Sequence, residues 1–113
     1  PDEMIAAVSV PRWSGAECWG YYKICRKVGE FADAIGAVVI DPDRSFARVV
    51  AGATEGAPLV LDELAAEIAR TAAPLPAERL REALAARMPH ADDVKLHQLT
   101  AAVRRAIERI FSA

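Results

Sequence analysis

The tract Gly20-Tyr21-Tyr22-Lys23-Ile24-Cys25-Arg26-Lys27-Val28-Gly29-Glu30-Phe31-Ala32 gathers three cations, Lys23, Arg26 and Lys27, beside two tyrosines. Lysine and arginine each offer several hydrogen-bond donors, and tyrosine rings offer flat apolar surface. Such a tract at a sheet edge can meet an anionic or electron-rich group. From spacing alone, a solvated basic loop paired with nearby acids is the simpler reading. His90, Asp92, Asp93 and His97 form the one cluster with metal-ligand chemistry. Asp93 and His97 stand four apart and would share a helix face. Pro89 to Asp93 also has the form of an ordinary helix start with an acidic first turn, and that reading takes precedence. Cys18 and Cys25, seven apart, match no metal or redox spacing and read as small thiols. The spacing supports no Ser-His-Asp or Cys-His arrangement, so no catalytic residue and no metal ligand is assigned.

These residues need elements to position them. Met4, Ala6, Val8 and Val10 alternate with Ile5, Ala7 and Ser9 until Pro11, the pattern of a first strand. Arg12 to Lys27 shows no clean period, and Trp13 and Trp19 within it read as packing or interface residues. Phe31 to Ile40 is a near-continuous apolar run, expected as a strand covered on both sides or by helices on its broad face. Asp41-Pro42-Asp43-Arg44 predicts a turn, and Phe46 to Thr54 the returning strand of a hairpin. Gly52, Gly56 and Pro58 mark the exit from the sheet.

Helical spacing follows. Leu61, Leu64, Ala65 and Ile68 fall on one stripe, with Asp62 and Glu63 early, where negative charge suits the dipole. Pro74 and Pro76 separate this helix from the next, which carries Leu80, Leu84 and Met88 and closes at Pro89. Asp92 is a plausible N-cap for a third helix whose seam is Leu96, Leu99, Val103, Ala106 and Ile110. Arg104, Arg105 and Arg109 lie off that seam and are expected to face solvent or another subunit. Strands followed by helices predict an α+β fold: a three-stranded antiparallel sheet packed against three C-terminal helices. Residues 1–113 are read as a single domain, with strands over about 4–54 and helices over about 60–111.

The chain has 113 residues, 53% hydrophobic and 27% charged, enough for a core that needs no staples. No apolar run reaches the roughly 20 residues of a membrane span. The net charge of -2 and the interleaving of arginines with acids argue against a nucleic-acid partner. The acidic start, Pro1-Asp2-Glu3, lacks the basic region of a secretory signal, and two cysteines do not make a disulfide scaffold. A cytoplasmic protein with free thiols is expected. The initial proline suggests a fragment or cleaved product.

From Tyr22-Lys23 through Arg26-Lys27 to Gly29-Glu30-Phe31-Ala32, the sequence resembles the start of a known domain. It is the C-terminal domain of the FAD subunit of carbon monoxide dehydrogenase and its relatives, a family that includes xanthine dehydrogenase and other molybdopterin hydroxylases. The similarity continues through Ala34-Ile35-Gly36-Ala37-Val38, the Asp41-Pro42 turn, and Val49 to Pro58 with its Gly-Ala-Thr-x-Gly-x-Pro ending. Ile5 to Pro11 matches the strand that enters this domain, and the helical tail matches in pattern. The resemblance implies a three-stranded sheet on three helices. It implies an accessory domain of a subunit that passes electrons from iron–sulfur clusters to an external acceptor. FAD would be held mainly by an upstream domain absent from this chain; Gly52 and Gly56 lack the clustered glycines of a phosphate cradle. The implied partners are that FAD-binding domain, a molybdopterin subunit and an iron–sulfur subunit. Lys23 matches the family's flavin-side lysine, and Tyr22, Arg26 and Lys27 would be loop or interface anchors.

The alternative from another class is a free-standing α+β interaction or assembly module without a redox role, motivated by the missing cofactor loop. A small metal-dependent enzyme using His90 and His97 is a third.

Overall fold

The computed structural model describes residues 2–112. Four strands form one antiparallel sheet in the order β1-β2-β3-β4: β1 Cys18–Ile24, β2 Ala34–Asp41, β3 Phe46–Gly52 and β4 Leu59–Val60. Three helices follow: α1 Asp62–Thr71, α2 Ala77–Arg87 and α3 Asp93–Phe111. The architecture is α+β, as the order of patterns predicted.

The β2–β3 hairpin forms where it was expected. Asp41 ends β2, and its Oδ1 accepts from the Asp43 and Arg44 amides at 3.1 and 3.3 Å. That bond pattern, with Pro42 holding its own φ, curls Pro42–Arg44 into one 3-10 turn. Ser45 closes it in the left-handed region, at φ 51. Val38 then pairs with Val49, and Ala37 with Val50.

Alternation decides which side of the sheet is inside. Ala34 and Val38 of β2, with Val49 and Ala51 of β3, are buried against the helices. Helix α3 supplies Leu96, Leu99, Ala102, Val103, Ala106 and Ile107 to the same core, α1 supplies Leu64 and Ile68, and α2 supplies Leu80 and Leu84. The helix stripes read from the sequence are therefore the core-facing stripes. Asp92 caps α3, its Oδ1 accepting from the Lys95 amide at 2.8 Å.

Helix α3 lies unusually close to the sheet. A Cβ on Gly20 would overlap the Ala106 carbonyl, and one on Gly36 would overlap the Ala102 carbonyl. Glycine in both strands and alanine in the helix are what allow backbone to rest on backbone.

Three expectations are corrected. Met4–Val10 is not a strand: it pairs with nothing, and Met4, Ile5, Val8 and Val10 are 79–90% exposed. Its alternation is real, but a strand needs a ladder partner, and this segment takes none, leaving the outer edge of β1 open. The first strand instead lies inside Arg12–Lys27, as β1. Its inward side carries Gly20 and Tyr22 in place of aliphatics, which hid the period. The sheet has four strands, not three, because Leu59–Val60 returns briefly along β3. The run from Phe31 becomes strand only at Ala34; Phe31 itself stands out in the β1–β2 connection. Of the two coverings expected for that strand, the one found is helices on one broad face.

Candidate functional site

The side of the sheet turned away from the helices has no cover within the described residues. On β1 it presents Trp19, Tyr21 and Lys23; the two rings are 62% and 43% exposed. Cross-strand pairing extends each into a row. Trp19 stands beside Val39 and Arg48, Tyr21 beside Ala37, Val50 and Val60, and Lys23 beside Ile35 and Gly52. None of Ile35, Ala37, Val39, Val50 or Val60 is fully buried. The surface is flat, aliphatic and aromatic, with one ammonium at its end. Contiguous exposed apolar surface of this kind is characteristic of binding faces.

Lys23 is exposed, and among the described residues no acidic side chain pairs with it. Tyr22, next along the strand, points the other way. It is half-buried against α3, with the Arg105 and Arg109 guanidinium groups over its ring at 5.3 and 5.4 Å. Adjacent residues of one strand must face opposite sides, so Tyr22 and Lys23 cannot serve one surface. Arg26 and Lys27 lie exposed in the β1–β2 turn, beyond the Lys23 end of the strand. The Glu30 amide donates to the Lys27 carbonyl at 3.1 Å, and Gly29 takes the φ of 91° that the turn requires.

The sequence reading missed the residue that braces this end. Lys95, in the first turn of α3, sends its ammonium to the Asp33 carbonyl at 2.5 Å and the Ala53 carbonyl at 2.6 Å. It ties the start of β2 to the exit of β3, the two strands flanking the Lys23 row. A lysine near a helix start looks like a solvated side chain, so no signal pointed to this role.

A second set of contacts holds the opposite end. Arg44 pairs with Asp41 at 2.5 Å and with Glu17 at 3.2 Å, and also donates to the Arg12 carbonyl. Glu17 accepts from the Ser14 and Gly15 amides. Burial pushes the Glu17 carboxyl up, but the amides of Ser14, Glu17 and Gly15 outweigh it and hold the pKa at about 2. The chain leading into β1 is thereby fastened to the hairpin turn.

The other candidates are dispersed. His90 and His97 line different clefts, Asp92 is the cap, and Asp93 pairs with Arg81 at 2.8 Å. No group of three or more His, Cys, Asp or Glu able to hold a metal occurs among the described residues. Cys18 and Cys25 bracket β1, whose rise separates them by roughly 20 Å, beyond bridging distance. Arg104 pairs with Glu108 at 3.4 Å on the helix surface. Thr54 folds its own loop, its hydroxyl donating to the Gly56 and Ala57 carbonyls. Ala53 takes the left-handed region there, at φ 63, and Gly56 does not. No described helix is long and apolar enough to cross a membrane.

The domain is an antiparallel sheet with helices on one side and an open, tyrosine-bearing face on the other. No protein-family model and no curated protein matches the chain in sequence. Among solved structures, the fold is similar to that of a chain of carbon monoxide dehydrogenase from Hydrogenophaga pseudoflava, in a form that lacks the Mo-pyranopterin moiety of the molybdenum cofactor. The TM-score is 0.60 at 24% identity, over 91% of this chain and 39% of that one. The likeness shows a shared fold. The chain spans well under half the length of the structure it matches. The fold comparison agrees with the α+β fold that the resemblance of the Tyr22 to Pro58 motifs implies.

Proposed function

We propose that the chain is an accessory domain of a flavoprotein subunit in a molybdenum-hydroxylase-type oxidoreductase. Its task there is to cover the flavin ring with the open face of its sheet and to contact neighbouring subunits. The observation that carries this reading is the exposed row on β1, in which Trp19, Tyr21 and an unpaired Lys23 share one flat surface. The residues fit a covering role. They offer ring-sized apolar area with Lys23 at one end and Arg48 at the other, while Gly52 and Gly56 lack the clustered glycines of a phosphate cradle. FAD would supply the redox chemistry, gripped by another domain.

The chain's own contributions follow from its residues. Tyr21, Val39 and Val50 would exclude water from the covered group. Lys23 would place a positive charge beside it, and in a poorly hydrated site that charge favours electron-rich, anionic forms. Arg26 and Lys27, on the turn, would anchor the contact with a neighbouring domain or subunit. Lys95 would keep the turn and strand ends in register with that face. The proposed partners are the FAD-binding domain and, through it, molybdopterin and iron–sulfur subunits, in the cytoplasm.

Lys23→Ala, made in the flavin-carrying subunit, tests the reading. The variant is expected to fold, because Lys23 is exposed, while the flavin absorption spectrum and the reoxidation rate change. Spectrum and rate both identical to wild type would remove Lys23 from the flavin. Titrating the 113-residue chain with FAD is expected to give no tight stoichiometric complex. Such a complex would mean that the chain itself grips the cofactor, contrary to the proposal.

A further inference from the structure

The sheet ends on an unprotected strand. Along one edge β1 bonds to β2, and along the other no described strand pairs with it. Alternate N–H and C=O groups of β1 therefore point outward, unused by the ladder. Edge strands of soluble domains are commonly blunted by Pro, by a bulge or by several charges. Cys18–Ile24 has no Pro, pairs with β2 without a bulge, and carries one charge, Lys23.

The charged groups around that edge are cations. Arg105 and Arg109 lie over the Tyr22 ring on the helix side. Lys23, Arg26 and Lys27 stand at the Ile24 end. All five are exposed, and none has an acidic partner among the described residues. The edge fits an extended segment that alternates apolar side chains and is acidic where it passes Ile24.

The chain itself carries such a segment. Met4–Val10 has seven residues, the length of β1; it is exposed and unpaired, and Asp2 and Glu3 precede it. Laid antiparallel with all seven positions matched, Met4 meets Ile24 and Val10 meets Cys18. Alternation then puts Met4, Ala6 and Val8 on the helix side, beside Ile24, Tyr22 and Gly20. Val8 stands where Gly20 leaves room. Asp2 and Glu3 come level with Arg26 and Cys25, between Lys23 and Lys27. A slip of one residue would turn the apolar set to the other side of the sheet, so the pattern selects this register. Within one chain the segment is led away from this edge. Arg44, in the β2–β3 turn, holds both the Arg12 carbonyl and Glu17, so the chain approaches β1 from its β2 side.

We propose that the outer edge of β1 takes up residues 4–10 of a second copy of this chain, the two copies exchanging these segments about a two-fold axis. Main-chain hydrogen bonds to the edge supply affinity, and the acidic start against the basic strand end sets direction. The contact uses the edge of the sheet rather than its open face, so it stands or falls apart from the flavin reading.

The test is sedimentation equilibrium of the 113-residue chain, with amide hydrogen exchange read alongside. A concentration-dependent dimer is expected, with exchange slowed together in residues 5–10 and in the outward amides of β1. Val8→Lys changes a side chain that is exposed in the single copy, so the fold should persist while the dimer is lost. Asp2→Lys with Glu3→Lys should weaken association by about five-fold, and adding Arg26→Glu and Lys27→Glu should restore it. A chain that stays monomeric at millimolar concentration would overturn the proposal. So would a dimer that Val8→Lys leaves intact, or slowed exchange of residues 5–10 in a monomer, which would mean that the segment folds back on its own strand.

Discussion

Glu17 turns the approach to β1 into a fixed path. Its carboxylate takes the Ser14 and Gly15 amides and the Arg44 guanidinium, and Arg44 also holds Asp41. The folded pKa, about 2, lies below the ordinary 4.5, so the charged form favours the folded anchor. The stability it adds is fully present above 4.5 and is lost as pH falls toward 2. Following the Gly15 amide resonance on acidification should show release of the leading segment with a midpoint far below that of an ordinary glutamate. Glu17→Gln should abolish that transition. A midpoint near 4.5 would mean that the amides do not hold the carboxylate. At this scale the sequence was only partly legible. The cations Lys23, Arg26 and Lys27 stood out by type, but which way each side chain faces depends on strand register. The Lys95 brace depends on contacts with Asp33 and Ala53, distant in sequence, which no local pattern encodes.

Among the elements, α3 sets the geometry of the domain. It rests on the sheet through Gly20 and Gly36, against the Ala106 and Ala102 carbonyls. Because the obstructing atoms are backbone, neither side can yield as a flexible side chain would. Gly36→Ala is expected to destabilise the fold by about 3 kcal/mol, read from chemical denaturation at unchanged m-value. A change under about 1 kcal/mol would show that the helix can lift without penalty. The same glycines explain what the sequence concealed. The hairpin was legible because Val38, Val39 and Ile40 run into an Asp-Pro turn and Val49 and Val50 return from it. The helices were legible because Leu64, Ile68, Leu80, Leu84, Leu99 and Val103 recur at helical steps. Strand β1 was not, because Gly20 reads as a breaker until α3 is seen lying over it. Met4–Val10 shows the converse: a clean strand pattern that pairs with nothing, although the outer edge of β1 is open.

As a whole, the molecule is finished on one side and unfinished on the other. The helical side buries Leu64, Ile68, Leu80, Leu84, Leu99 and Ile107 completely. The opposite side leaves Trp19 and Tyr21 in solvent above a floor of half-exposed valines and isoleucine, and the leading segment leaves four more aliphatic side chains exposed. Apolar surface of that extent is stable in water only at a cost of about 25 cal/mol per Å², a cost removed when a partner covers it. On the proposed reading, that partner carries the flavin and Trp19 lies near its ring. The most direct measurement is the emission of Trp19, obtained by subtracting the Trp19→Phe variant, in the flavin-loaded and flavin-free subunit. Strong quenching of that emission on flavin binding is the predicted result. Emission from Trp19 that is the same with and without flavin would contradict the account.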